Sequence, residues 1–389
     1  MRFPEFKGEW KETTLGKCVI QPLDYGMNAA AIAYDGENKY IRITDINEES
    51  SQYISNNPVS PAGQLLDKYI VEENDILFAR TGASTGKTYL YKKKDGKLYF
   101  AGFLIRAKIK TEYNSAFIFA QTKTTQYYKW VEFMSIRSGQ PGINSQEYAS
   151  YRFLIPQKEE QDKIASLLLL LDERITTQIK IIEKYESLIK GVSENIFSHK
   201  LDYVGLKQNW EIKYGNEIFE SILDKNLPSN LPILAITQEY GAIPRDLIDY
   251  KVTVTDKSLE SYKIVQVGDF IISLRSFQGG IEYSNYKGIC SPAYIVLRPI
   301  IPINNIFYKY YLKTSNYIAK LNKNLEGIRD GKMISYKQFS EIPLPYPNIT
   351  EQNKIAEILL AFNKKTEMEK LLLKRYSEQK KYLLNNLFI

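Results

Sequence analysis

At 389 residues the chain is too long for a single hydrophobic core and suits two domains with connecting elements. Its 44% hydrophobic and 25% charged residues are those of an ordinary soluble globular protein, while one histidine and two cysteines exclude histidine-dependent triads, multi-histidine metal sites and a disulfide framework. The net charge of +7 favours a polyanionic partner. No stretch approaches the ~18 uninterrupted apolar residues of a membrane span, and the opening MRFPEFKGEW lacks a signal-peptide core, so a cytoplasmic protein with no membrane partner is expected.

Taken in order, the chain opens on Trp10, followed by a strand-like run at 39–46 and a second at 73–79 that leads into Arg80, Thr81 and Gly82. The segment from Gly82 to Thr88 resembles a phosphate-binding loop, yet three residues separate its glycines where that motif needs four. It is also followed by the strand-like TYLYKKK where a helix should begin. The better reading is a tight loop carrying Arg80, Thr81, Ser84 and Lys87, with Gly82 allowing close approach to a phosphate backbone or base edges. An ordinary hairpin with incidental charge is the competing reading. Lys92, Lys93 and Lys94 precede Asp95-Gly96, a hairpin signal, and read as a solvated turn. A second candidate surface follows at Ile136 to Gly142, with Arg137, Ser138 and Gln140 as contact residues.

Residues 160–197 then predict one long helix with no internal proline, its apolar positions alternating steps of three and four: Ile164, Leu168, Leu171, Ile175, Ile179, Ile182, Tyr185, Ile189, Val192 and Ile196. At about 1.5 Å per residue such a helix is roughly 55 Å long. His199 falls just after it and reads as a linker residue.

The landmarks then recur. Trp210 echoes Trp10, the run at 231–238 echoes 39–46, and the strand at 267–272 leads to a loop with Arg275, Ser276 and Gln278. Arginine and glutamine there suit bidentate contacts to guanine and adenine. Ile328-Arg329-Asp330-Gly331-Lys332 answers the Arg137 segment, and 351–388 repeats the long helix with polar Thr366, Lys370 and Lys380 in its seam. A shift of 191 positions superposes Pro156 on Pro347, Glu160-Gln161 on Glu351-Gln352, Tyr185 on Tyr376 and Phe197 on Phe388, a true internal repeat. The expected fold is α/β (α+β): domains at 1–155 and 200–345, long helices at 156–199 and 346–389, the helices pairing with each other in a pseudo-two-fold repeat.

No methyl-donor loop, catalytic tetrapeptide or nuclease constellation is legible, and no cofactor or metal is expected. Two divergent domains, each followed by a helix opening Pro, Glu-Gln, Lys-Ile-Ala, resemble the DNA-specificity subunit of type I restriction-modification systems over essentially the whole chain. The resemblance implies two target recognition domains reading a bipartite site on double-stranded DNA, and an antiparallel coiled coil that docks two methyltransferase subunits. It also implies restriction subunits joined through that complex and no catalysis by this subunit. The second half departs from the pattern by lacking Thr-Gly after Arg275. Two other classes stay open on the residues alone: a methyltransferase or nuclease with its own catalysis, and a coiled-coil adaptor without DNA specificity.

Overall fold

The computed structural model describes residues 2–198, 210–224, 231–248, 259–323 and 334–388. It divides into two compact units, Met1–Ile179 with Leu372–Ile389, and Lys180–Leu371. Two long helices, Lys158–Phe197 and Ile349–Asn386, each contribute one part to each unit.

Each unit is built on the same frame. In the first, a four-stranded antiparallel sheet runs in the order Asp24–Tyr25, Leu104–Lys108, Asp75–Ala79, Thr88–Leu90. In the second, the order Phe219–Ile222, Ile295–Pro299, Phe270–Ile272, Glu282–Tyr283 repeats it. A two-stranded ribbon brings each unit's opening strand to the strand before its long helix: Lys11–Thr14 with Arg152–Ile155, and Glu211–Tyr214 with Pro343–Tyr346. In both units a residue at positive φ, Asn74 or Gly268, is followed by a buried aspartate, the first residue of the central strand in one and the residue just before it in the other, whose carboxylate caps the turn: Asp75 accepts from the Glu72 N–H, Asp269 from the Gln266 N–H. The strand-like runs at 39–46 and 231–238 shorten to Lys39–Ile41, parallel to Leu98–Phe100, and Leu234–Thr237, antiparallel to Gly241–Pro244. Here the halves part company.

The repeated Glu-Gln has a physical explanation. Gln161 and Gln352 are 2% and 0% exposed, and each amide nitrogen donates to the carbonyl of the proline five residues earlier, Pro156 at 2.9 Å and Pro347 at 2.8 Å. Each amide oxygen accepts from a helix-capping asparagine N–H, Asn114 or Asn304. Those asparagines cap the small helices Ser115–Gln121 and Asn305–Tyr311 through their own side chains. One buried glutamine therefore locks the start of the long helix to the start of a domain helix, with both ends of its amide engaged. Glu160 adds an ion pair with Arg2 and accepts from the Trp10 indole.

The long helices close each unit in antiparallel fashion. In the first unit the start of one helix (Ile164, Leu168, Leu171) and the end of the other (Leu383, Leu384, Leu387) share a core with Phe117 and Ile118. In the second, Ile196 and Phe197 meet Ile355 and Leu359 beside Phe307 and Tyr308. The repeated terminal phenylalanines thus play matching parts: Phe388 packs 5.2 Å from Phe117, and Phe197 packs 5.2 Å from Phe307. The polar seam positions of the second helix are accommodated by Lys380 pairing with Asp172 at 2.5 Å, Lys370 pairing with Glu186 at 2.8 Å, and the Thr366 hydroxyl bonding the Phe362 carbonyl. Ile179, expected in the seam, is 42% exposed. Two helices alone do not enclose a side chain, and the most deeply buried seam residues are those also covered by a domain.

Candidate nucleic-acid interface

In the first unit the two loops singled out by sequence lie together. Thr81 bridges Gly142, the Gly82 N–H donates to the Pro141 carbonyl at 2.9 Å, and the Ile143 N–H donates to the Arg80 carbonyl at 2.9 Å. Gly82 takes a φ of 77° with its α-carbon facing Gln140, and Gly86 takes a φ of 89° where a Cβ would meet Val131 at 2.5 Å. Tyr148 completes the frame, its hydroxyl donating to the Ala79 carbonyl and accepting from the Gly86 N–H. After Lys87 the chain enters the strand Thr88–Leu90, as the sequence implied, so no helix dipole faces the loop.

Arg80 leaves the end of the central strand with its guanidinium 4.9 Å from the Tyr25 ring and 6.0 Å from the Phe103 ring. Its buried Nε has no hydrogen-bond partner among the described residues, and the side chain makes no ion pair there. The two rings lie within cation–π reach of the guanidinium, and the Tyr25 phenol feels both its charge and a hydrogen bond from it, while no described carboxylate takes the fork that a base edge with two acceptors would engage. Arg80 borders a cleft of about 630 Å³ lined also by Tyr25, Asn28, Arg42, Thr44 and Phe103. Arg42 is held by Asp45 through two 2.8 Å hydrogen bonds, and Phe103 is 59% exposed. Sequence reasoning missed Tyr25, Arg42 and Phe103, because a strand, a strand end and a turn far apart in sequence bring them to Arg80 and no local pattern marks them. The Gly102-Phe103 turn between two apolar strands was the one usable signal.

The remaining candidates divide. Ser138 and Gln140 are exposed, Gln140 beside Gly82, and Ser84 and Thr81 form the loop itself. Lys87 is turned inward: its side chain is 10% exposed and its ammonium donates to the Ile46 carbonyl and pairs with Glu48 at 2.9 Å, so it anchors the loop and does not face a phosphate. Arg137 spends its donors on both oxygens of Glu147 and on the Met134 and Ile136 carbonyls. It fastens its own turn.

In the second unit the chain after the central strand forms a short helix, Ser276–Gly279, in place of an open loop. Ser276 is 1% exposed and its hydroxyl accepts from the Ser273 N–H, which removes it from any contact surface. Arg275 and Gln278 are exposed. Gly280, at a φ of 83°, lies where a Cβ would meet the Leu312 carbonyl at 2.2 Å, so this tight passage replaces the missing Thr-Gly. Arg329 and Lys332, and also His199, lie outside the described residues.

Among the described residues no group of acidic, cysteine or histidine side chains is arranged to hold a metal, and no helix is long and apolar enough to cross a membrane. Burial pushes the Cys18 thiol up to about 11 and the Cys290 thiol up to about 12, so neither supplies a thiolate near neutral pH.

The model of the type I restriction modification DNA specificity domain matches this chain twice, at residues 26–184 and 203–375. A type I restriction enzyme specificity subunit of Methanocaldococcus jannaschii, MjaVIII, is 24% identical over 372 residues, covering 86% of this chain and 83% of its own. The crystal structure of a type I restriction-modification system S subunit from M. genitalium superposes with a TM-score of 0.57 at 18% identity, over 98% of this chain and 96% of that one. A chain from a structural study of complex assembly and conformational transition in a type I R-M system gives a TM-score of 0.58 at 17% identity, over 96% and 95%.

Proposed function

Since this chain belongs to the type I restriction modification DNA specificity family, we propose that its two halves each read one part of a bipartite, asymmetric site on double-stranded DNA. The observation that carries the reading is Arg80: a guanidinium within cation–π reach of the Tyr25 and Phe103 rings, unpaired by any described carboxylate, bordering an open cleft. A guanine O6 and N7 present the two acceptors that such a fork recognises. Gln140 and Ser138 from the adjoining loop extend that surface, and Arg275 with Gln278 are the counterpart in the second half. Because the two reading loops differ in conformation, the two half-sites differ, and the whole site lacks the palindromic symmetry that identical readers would impose.

The chain itself carries no catalysis in this reading. Chemistry belongs to partners: two methyltransferase subunits docked on the long helices, with restriction subunits joined through them. Leu169, Leu170, Leu360, Met368 and Leu371 support that docking, since they form apolar surface on both long helices that stays exposed in the chain alone. Mapping methylated positions in a genome that expresses the chain with its methyltransferase tests the reading. A two-part unequal motif is expected; a palindrome, or no motif dependent on this chain, would overturn it.

A further inference from the structure

A lysine occupies the same place in both halves, Lys123 before Thr124 and Lys313 before Thr314. Each faces a cavity between the domain and the long helices of its own unit, and the two cavities carry opposite charge balances. In the second unit the cavity is about 300 Å³, and the Lys313 ammonium lies 2.5 Å from the buried carboxylate of Glu282. Lys190, Lys309 and Lys313 are met there by Glu186, Glu194, Glu239 and Glu282. In the first unit the cavity is about 50 Å³, and Lys92, Lys123 and Lys380 are met only by Asp172 and Glu49.

Asp172 is already taken by Lys380 at 2.5 Å. Lys123 makes no ion pair among the described residues and donates to two hydroxyls, Ser51 Oγ at 2.7 Å and Thr88 Oγ1 at 2.6 Å. Ser51 reaches it from a backbone held at a φ of 53°, a conformation that disfavours a residue with a Cβ. The fold thus brings two hydroxyls and the face of the Phe119 ring, at 4.6 Å, but no paired carboxylate, to an ammonium enclosed by protein. Such a charge is costly unless something neutralises it.

We propose that the first unit's cavity, which Lys92 also lines, binds a small monovalent anion of the size of chloride or bicarbonate beside Lys123, supplying the charge that Glu282 supplies to Lys313. The volume has room for a few water-sized groups and none for a nucleotide. Burial first, and then the neighbouring Lys380, push Lys123 down to about 7, with Lys87 acting in the same direction and Asp172 against it. Anion binding is therefore coupled to proton uptake at Lys123 and weakens as the pH rises above neutrality.

Chloride NMR on the full chain tests this, with ionic strength held constant by gluconate, an anion too large for the cavity, just below neutral pH. The wild-type chain is expected to broaden the chloride line well beyond a Lys123→Met variant, and added bicarbonate to reverse the excess. Ser51→Asp places a carboxylate on the ammonium in a residue that tolerates positive φ, and should abolish the excess while leaving the fold intact. If Ser51→Asp broadens the line as much as wild type, the site does not exist; that variant decides the matter even if Lys123→Met misfolds.

Discussion

The two units are the same machine at their base and different machines at their reading ends. Where a domain meets its long helix, the halves match bond for bond: buried glutamine, proline carbonyl, asparagine cap, terminal phenylalanine on the capped helix. Past the central strand they diverge, with an open loop holding Arg80 over the Tyr25 ring in one and a short helix preceded by an exposed Arg275 in the other. Interlocking buried bonds tolerate little change, because each lost partner strands a desolvated group. A solvent-facing loop on a fixed frame changes freely. A protein that must keep one assembly while varying what it reads is served by that division.

The comparison can be broken most severely by changing the helices and leaving both readers alone. Four residues inserted near Thr176 lengthen the helix by about 6 Å and rotate its C-terminal part by about 40° relative to its start. The variant is expected to keep both half-site sequences and to read them one or two base pairs further apart, seen directly by methylation mapping. An unchanged gap would mean that these helices do not set the spacing.

Matched substitutions test the shared base. Gln161→Leu and Gln352→Leu each leave a carbonyl and an N–H without their partner, and each should cost about 2–4 kcal/mol in denaturant unfolding. A large cost in one half with none in the other would show that the clamp is not equivalent.

The paired lysines should behave oppositely. Lys313→Met strands the Glu282 carboxylate, which is 2% exposed, and should destabilise by about 2–3 kcal/mol, the lysine's partial exposure tempering the loss of a buried pair. Lys123 is lowered to about 7 from an ordinary 10.5, so between those values the unfolded chain holds the proton and the folded chain does not. Stability in gluconate should therefore rise as pH rises from about 7 to 10, and stay level below 7. Lys123→Met should flatten that slope, measured by thermal melts across the range.

At the readers, Arg80→Ala should reduce discrimination at one base pair by about 1–3 kcal/mol and leave the other half-site unaffected, with Arg275→Ala doing the converse. Competition binding of the methyltransferase complex to single-base variants measures both. The smallest effect belongs to Lys87→Ala. Its ammonium already serves Ile46 and Glu48, so the salt dependence of DNA binding should not change, and the loss of its pair with exposed Glu48 should cost under about 1 kcal/mol.

The sequence by itself determined the duplication, the long helices to within three residues of their ends, the central strands and the tight loop after Arg80. These are written in local periodicity and in spacing along the chain, which survive without knowledge of the fold. It also marked the glutamines as repeated without revealing their purpose, since a capping bond to an asparagine 47 residues away has no local signature. Only the tertiary structure decided which of the marked polar residues face outward. Lys87, Arg137 and Ser276 carry the residue types a nucleic-acid contact needs, yet each is consumed by an internal partner, Glu48, Glu147 and the Ser273 N–H. Arg80 is left without a carboxylate partner because what the fold places beside it are the Tyr25 and Phe103 rings, delivered by a strand and a turn distant in sequence. A side chain's chemistry is set by its type, but its availability is set by what the folded chain places within hydrogen-bond reach, and that depends on contacts distant in sequence.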